Sequence, residues 1–367
     1  MTKVATGLVT GKAAKPELAA QAVRAAMAKA NIHAPSSVLL FLTSEFATDP
    51  QSAIKAAATA ASCTQVVGCS ASGIFTEEDW VLDSPAAAAM VFSGDINLSA
   101  ANQDTTAPLL LTLAAPNAIN STWLNASARN QPSARFGGVS GDATGHGPFS
   151  VWQNGKGATQ GYCELEVHHA QLAVAASHGL KNISKPQKIT KTNGHDLISI
   201  AGTDALASLV SAWQKQKAVE PPPYHRLIAM YANKAVQLER GEYSVASIIA
   251  GNDKCETITL TKTLQEGDWL CWAVRDVDAA QVDIVKTASD LKQQLDSEPA
   301  FALLFSCLGR GPYFYDGTDQ DLSLLKALFP KLPIIGFYGN GEIAPILGVN
   351  ELLQYSAVLA LFAVERS

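Results

Sequence analysis

A block that occurs twice constrains this chain more than any other feature. Ser37-Val-Leu-Leu-Phe-Leu-Thr43 and Pro299-Ala-Phe-Ala-Leu-Leu-Phe305 are unbroken apolar runs of strand length. Each leads into a helical segment, Pro50 to Ser62 or Asp319 to Phe329, and then a short strand, Gln65-Val-Val67 or Leu332-Pro-Ile-Ile335. Each block then reaches a segment of the form G-x-x-x-x-G. Aligning Val66-Val-Gly-Cys-Ser-Ala-Ser-Gly-Ile-Phe75 with Ile334-Ile-Gly-Phe-Tyr-Gly-Asn-Gly-Glu-Ile343 places Gly68 on Gly336 and Gly73 on Gly341 without a gap. Phe41 precedes Gly68 by 27 residues and Phe305 precedes Gly336 by 31. A further apolar strand follows each, Ala86 to Phe92 and Ser356 to Phe362. Conserved order and spacing predict an internal duplication: two related α/β halves, each a β-α-β-turn-β unit.

Other elements fill in around this frame. Val4 to Val9 reads as a strand, and Lys15 to Ala30 as a helix with Leu18, Ala22, Ala26 and Met27 on one face. Gly155 to Ala176 and Pro186 to Ile200 alternate as antiparallel strands do, and Asp204 to Lys217 is helical. Beyond it, Leu227 to Tyr231, Ser244 to Ala250, Thr257 to Thr261 and Trp269 to Val274 are strand-like, and Val282 to Leu295 is helical. The expected fold class is α/β, mixed, with a strong antiparallel component. At 367 residues the chain is long enough for two domains. Glu220-Pro-Pro-Pro223 is the best linker, since three prolines continue neither helix nor central strand. The expected domains are therefore 1–222 and 223–367.

Composition excludes several classes. Lys and Arg total 27 against 33 Asp and Glu, a formal charge of −6, with no basic run to neutralise a row of phosphates, so nucleic acid is not an expected partner. No apolar stretch approaches the ~18 residues of a spanning helix and no signal segment is visible, which predicts a cytoplasmic protein without membrane insertion. The six cysteines are dispersed, with no C-x-x-C pair, and read as reduced thiols.

The glycine segments invite a phosphate-loop reading, and the residues after them refuse it. Ile74-Phe75 and Glu342-Ile343 stand where Lys and Ser or Thr are needed. What survives is that glycines after a buried strand let the backbone approach a ligand and offer N–H donors. The competing reading is that they merely turn the chain. Phe136-Gly-Gly-Val-Ser-Gly-Asp142 is equally glycine-dense, and Cys307-Leu-Gly-Arg-Gly311 follows the apolar strand directly. Arg310 suits a ligand carboxylate, or an ordinary ion pair with Glu342. Cys69 and Cys307 fall in turns and are the candidate nucleophiles for an enzymatic reading, but neither has a base signature beside it, and buried thiols are the simpler reading. The seven histidines form no metal-binding spacing, although one histidine suffices for a haem iron.

At Val66 to Gly73, Phe136 to Asp142, Phe305 to Gly311 and Pro333 to Pro345 the chain resembles the FIST family of sensory domains, in both its N-terminal and C-terminal modules. The resemblance implies a small-molecule input domain for bacterial signalling, with amino acids suggested as ligands and haem-binding nitric-oxide sensors as one subgroup. It implies that the glycine segments line the ligand site. The expected ligand-binding set is Gly68, Cys69, Ser70, Gly73, Gly137, Gly138, Ser140, Asp142, Cys307, Arg310, Gly311, Tyr338, Gly339, Gly341 and Glu342. No catalytic residue, metal or cofactor is expected, with haem as the alternative. Ser72 and Phe337-Tyr338-Gly339-Asn340 are local variations that bear on ligand choice. With no room for an output module, the signal is expected to pass to a separate partner, such as a kinase or cyclase-type protein.

Overall fold

A computed structural model describes residues 2–102, 105, 107–125, 134–216 and 221–365. In chain order the first elements are β1 (Lys3–Thr10), α1 (Glu17–Ala30), β2 (Ser37–Thr43), α2 (Gln51–Ala61), β3 (Val66–Ala71), β4 (Gly73–Thr76), β5 (Trp80–Leu82) and β6 (Ala86–Ser93). Next come β7 (Asn97–Ala100), β8 (Leu109–Ala114), α3 (Ser121–Asn125), β9 (Ala134–Val139), β10 (Val151–Gln153), β11 (Lys156–Gly157), β12 (Tyr162–His168) and β13 (Ala170–Ser177). A run of mostly short strands follows: β14 (Leu180–Asn182), β15 (Gln187–Asn193), β16 (Asp196–Ile200), β17 (Thr203–Asp204), α4 (Ala205–Gln214), β18 (Leu227–Ala232), α5 (Ala235–Arg240), β19 (Ser244–Asn252), β20 (Thr257–Leu260) and β21 (Trp269–Arg275). The chain closes with α6 (Val277–Gln293), β22 (Phe301–Cys307), α7 (Gln320–Leu328), β23 (Ile334–Gly339), β24 (Glu342–Ile346), β25 (Val349–Leu353) and β26 (Ala357–Val364).

The chain forms two compact units, Met1–His178 with Gln281–Ser367, and Gly179–Ala280. Position 222 falls inside the second of these, so the compact units do not follow the expected division. Prolines 221–223 carry no helix or strand, but the strands on both sides of them belong to one sheet. Lys217 and Glu220, expected at a helix end and in the linker, lie outside the described residues.

In the first unit three sheets share one plan. Their orders are β1-β6-β2-β3-β10-β11, β7-β12-β8-β9-β24-β25 and β13-β26-β22-β23-β4-β5. In each, the second and third strands are antiparallel and the third and fourth, β2–β3, β8–β9 or β22–β23, are parallel. The expected duplication is visible, and it is joined by a third, shorter copy around Phe136 to Asp142. That copy is not matched by spacing because only eight residues separate β7 from β8, fewer than the lengths of α1 and α6. Each copy lends its hairpin to another sheet: β4–β5 joins β23, β24–β25 joins β9, and β10–β11 joins β3. The exchange is cyclic, giving a threefold pseudo-repeat.

Strand alternation explains the continuous apolar runs. In β2, Leu39 and Phe41 enter the core that the three sheets share, while Val38, Leu40 and Leu42 face α1 and α2. In β22, Leu303 and Phe305 enter the same shared core, and Ala302 and Leu304 face α6 and α7. The centre is aromatic, with Phe337 edge-on to Phe41 and Phe305 at ring-centroid separations of 4.9 and 5.4 Å.

The second unit is antiparallel throughout. β15, β16, β20, β19, β18 and β21 pair in turn, and β21 returns to β15, closing the sheet. Leu206 and Leu209 of α4 pack into its core with Trp272. The molecule is therefore mixed α/β with a strong antiparallel component.

Candidate functional site

The glycine segments are strands before they are turns. Gly68, Gly137 and Gly336 sit opposite Leu40, Thr112 and Leu304 across the three parallel pairs, and are thus equivalent. A Cβ on them would lie 1.7, 1.9 and 1.9 Å from the facing carbonyl oxygens, so each parallel pair approaches too closely for a side chain. Gly68 also pairs with Trp152, and Gly336 with Phe75, so these glycines sit inside the sheets between two partner strands. Gly138 makes room for the Phe337 ring, whose Cζ would be 2.5 Å from an added Cβ. Cys69 lies inside β3 and Cys307 ends β22, where turns were expected. Cys69 is wholly buried, and burial, with Cys163 nearby, pushes its thiol well above the usual range, which removes the reactivity a nucleophile needs.

Two groups of expected residues do come together. In the first, Ser140 Oγ donates to the Ser70 carbonyl at 2.6 Å and lies 3.0 Å from Ser70 Oγ, which accepts from the Ser150 N–H at 3.0 Å. Ser72, Gly141 and Asn340 are equivalent positions one residue beyond β3, Ser140 and β23. They converge, since a Cβ at Gly141 would be 2.9 Å from Asn340 Oδ1 and 3.0 Å from Ser72 Oγ. Asp142 opens a loop that exists only in the second copy. Its carboxylate takes Thr144 Oγ1 at 2.5 Å and the Gly145 N–H at 2.7 Å. Burial raises its pKa, but these bonds and the Gly147 N–H outweigh that and hold it below the usual value. Gly73 and Gly341 occupy equivalent places at the start of the lent hairpins.

The second group lies at the C-terminal ends of β22 and β23 in the third copy. Arg310, expected to meet a ligand or Glu342, is 1% exposed and grips Asp321 instead, with Nε 2.8 Å from Oδ2 and Nη2 3.1 Å from Oδ1. Asp321 wins because it stands on the first turn of α7 and meets the guanidinium side-on, the geometry of a bidentate pair. Arg310 also donates to Tyr315 Oη at 3.1 Å and Ser177 Oγ at 3.2 Å. Ser177 Oγ and the His178 N–H both reach Asp283, at 2.8 and 2.9 Å, and His178 Nδ1 lies 2.9 Å from Ser356 Oγ.

Asp319 caps α7, accepting the Leu322 N–H at 2.9 Å, and takes the Tyr338 hydroxyl on its other oxygen. Burial, reinforced by Asp321, raises Asp319 to about 6. Gly311 is held to glycine by Tyr338, whose ring would be 2.7 Å from a Cβ, and Gly339 by the Val139 carbonyl at 2.2 Å.

Glu342 stands beside this network. It is wholly buried, and neither carboxyl oxygen has a hydrogen-bond partner among the described residues. Burial pushes its pKa well above the carboxylate range, although the Ser356 N–H and the Arg310 charge, close to the carboxyl without meeting hydrogen-bond geometry, act in the opposite sense. Register gives its equivalents: Ile74 pairs with Phe337, Val151 with Cys69 and Glu342 with Gly138, each one residue after an equivalent glycine. Two copies place an aliphatic side chain in the shared core, and the third places a carboxyl there. Sequence reasoning named Glu342 and missed Asp319, Asp321, Tyr315, Ser177 and Ser356. The only signal available was an Asp-x-Asp pattern at the start of an expected helix.

No group of three or more His, Cys, Asp or Glu side chains set to hold a metal ion occurs among the described residues, and no helix there is long and apolar enough to cross a membrane. His168 and His178 face hydroxyls, Ser99 Oγ at 2.6 Å and Ser356 Oγ at 2.9 Å, whereas His33, His146, His169, His195 and His225 are exposed.

Such a fold, three cyclically interlocked α/β copies with the Arg310–Asp321 network in the third, defines a repeat-built protein whose copies have diverged. The chain belongs to the FIST family: the FIST N domain model matches residues 36–203 and the FIST C domain model residues 204–345. FIST domains are associated with sensory signal transduction. Among curated relatives, an uncharacterized protein of Mycobacterium tuberculosis is 24% identical over 233 residues, 62% of this chain and 60% of the relative. An uncharacterized protein of Mycobacterium bovis is 25% identical over 238 residues, again 62% of this chain and 60% of the relative. The match thus spans about 60% of the length of these curated relatives.

Proposed function

We propose that this chain is a cytoplasmic ligand-sensing protein, not an enzyme, that binds an amino acid or a related amine-bearing metabolite at Glu342 and signals through a separate output partner of the kinase or cyclase type. The observation that carries this reading is the unpartnered carboxyl of Glu342 at a position where the other two copies have Ile74 and Val151. A buried polar group without a partner costs about 1–3 kcal/mol, and an aliphatic side chain at the same place would avoid that cost. A carboxyl retained there is explained by a ligand whose donor group completes it. The Arg310–Asp321 pair, with Tyr315 and Ser177, braces the neighbouring turn and leaves the ligand's donor end, not its carboxylate, as the feature recognised.

Thermal melts with a panel of amino acids and amines test this. At least one member at about millimolar concentration should raise the Tm saturably. Glu342→Met should abolish that shift while raising the stability of the unliganded protein by about 1–3 kcal/mol. A panel without effect, or a Glu342→Met protein that still responds, overturns the reading. Haem sensing is the competing proposal, with His178 the histidine placed beside this network. A Soret band after reconstitution, lost in His178→Ala, would replace the amine reading with it.

A further inference from the structure

The second unit contains a recess that the sensing site does not use. β21 changes partners midway: Ala273 pairs with Asn182 of β14, whereas Leu270 pairs with Gln187 of β15. Residues 183–186 therefore bulge out opposite only Cys271 and Trp272. The bulge is fixed at its root, where the Ile183 N–H donates to the Trp272 carbonyl at 2.8 Å and the Trp272 N–H to Ser184 Oγ at 2.8 Å. The space between the bulge and α4 is a recess of about 570 Å³, within the range of small-molecule sites.

Its lining is one-sided in charge. Lys185 comes from the bulge and Lys215 from the end of α4, with the hydroxyls of Ser208 and Ser211 and the amides of Asn182 and Gln187 between them, and among the described residues no carboxylate lines the recess. Ser211 and Lys215 are one turn apart on the same face of α4. Neither lysine makes an ion pair among the described residues, in a chain of net charge −6. The buried floor includes Ile183 and Ala212, which suits a short carbon skeleton. Below it, Ser208 Oγ accepts from Trp272 Nε1 at 3.2 Å and donates to Gln187 Oε1 at 3.4 Å, so that hydroxyl is fixed in the wall and the outer donors are Ser211 and the two lysines.

We infer that this recess binds a small organic anion, a phosphate monoester or carboxylate with a short carbon skeleton, whose charge lies between Lys185 and Lys215. The site is separate from Glu342 and does not depend on the sensing proposal. The test is a Tm titration of the full chain with glycerol 3-phosphate, succinate and inorganic phosphate, with glycerol as the neutral control and sodium chloride matching ionic strength. A saturable rise is expected below about 10 mM for at least one of the organic anions and none for glycerol. The phosphate arm and the succinate arm identify which anion the site prefers. Lys185→Gln/Lys215→Gln should weaken the effective affinity at least about tenfold, whereas Glu342→Met should leave it unchanged. No saturable rise with any anion, an equal rise with glycerol, or an undiminished rise in the double variant overturns the inference.

Discussion

Gly336 stands between the Leu304 carbonyl, 1.9 Å from where a Cβ would sit, and the Phe75 ring at 2.5 Å. Neither can retreat, since one is strand backbone and the other is wholly buried. Gly336→Ala should therefore destabilise the protein by about 2–4 kcal/mol in urea denaturation; a loss below about 0.5 kcal/mol would show that the parallel pair can open. Asp319 makes a prediction in pH. Its folded pKa of about 6 exceeds the ordinary aspartate value of 3.8, so the folded state holds the proton more tightly than the unfolded one. That contribution is complete below pH 3.8 and is lost as pH rises through about 6. Wild type should lose stability over this window relative to Asp319→Asn, which keeps a capping side chain. Parallel stability–pH curves for the two proteins would contradict the assignment. At this scale the sequence was partly legible. It marked Gly68, Gly336, Arg310 and Glu342 by type and spacing, but a residue type does not reveal its partner, and Asp321 reaches Arg310 only because α7 begins there.

Among elements, the helices and long strands were the most readable. Segments expected at Pro50 to Ser62 and Asp319 to Phe329 form α2 (Gln51–Ala61) and α7 (Gln320–Leu328), because apolar period and turn residues agree locally. The hairpins were not readable as what they are. β4 follows β3 with one residue between them, yet it pairs with β23, more than 250 residues away in sequence. The hydrophobic pattern of a strand says which face is buried and nothing about which edge it joins. Hydrogen exchange checks the exchange of hairpins. The amides of Gly73–Thr76 should be protected along with those of β22 and β23, and Phe301→Ala in β22 should lower the protection of both; β4 amides exchanging independently of β23 would refute the pairing.

The whole molecule separates what is local from what is assembled. Residues 179–276 hold all the strands of the closed sheet and a core built on Trp272, Leu209 and Ile258. A fragment of that span should fold alone, with a cooperative urea transition and dispersed amide resonances; a fragment without cooperative unfolding would mean that the closed sheet needs the rest of the chain. The sequence by itself determined the mixed α/β class, the strand–helix–strand order and the equivalence of the Gly68 and Gly336 segments, because these follow from periodicity, spacing and the steric freedom of glycine. Only the tertiary structure decided that the copies number three, that their hairpins pass cyclically from sheet to sheet, and that one position in the shared core carries Ile74, Val151 and an unpartnered Glu342. Strand pairing and burial are properties of which segments meet, and segments meet through contacts far apart in the chain that no local pattern encodes.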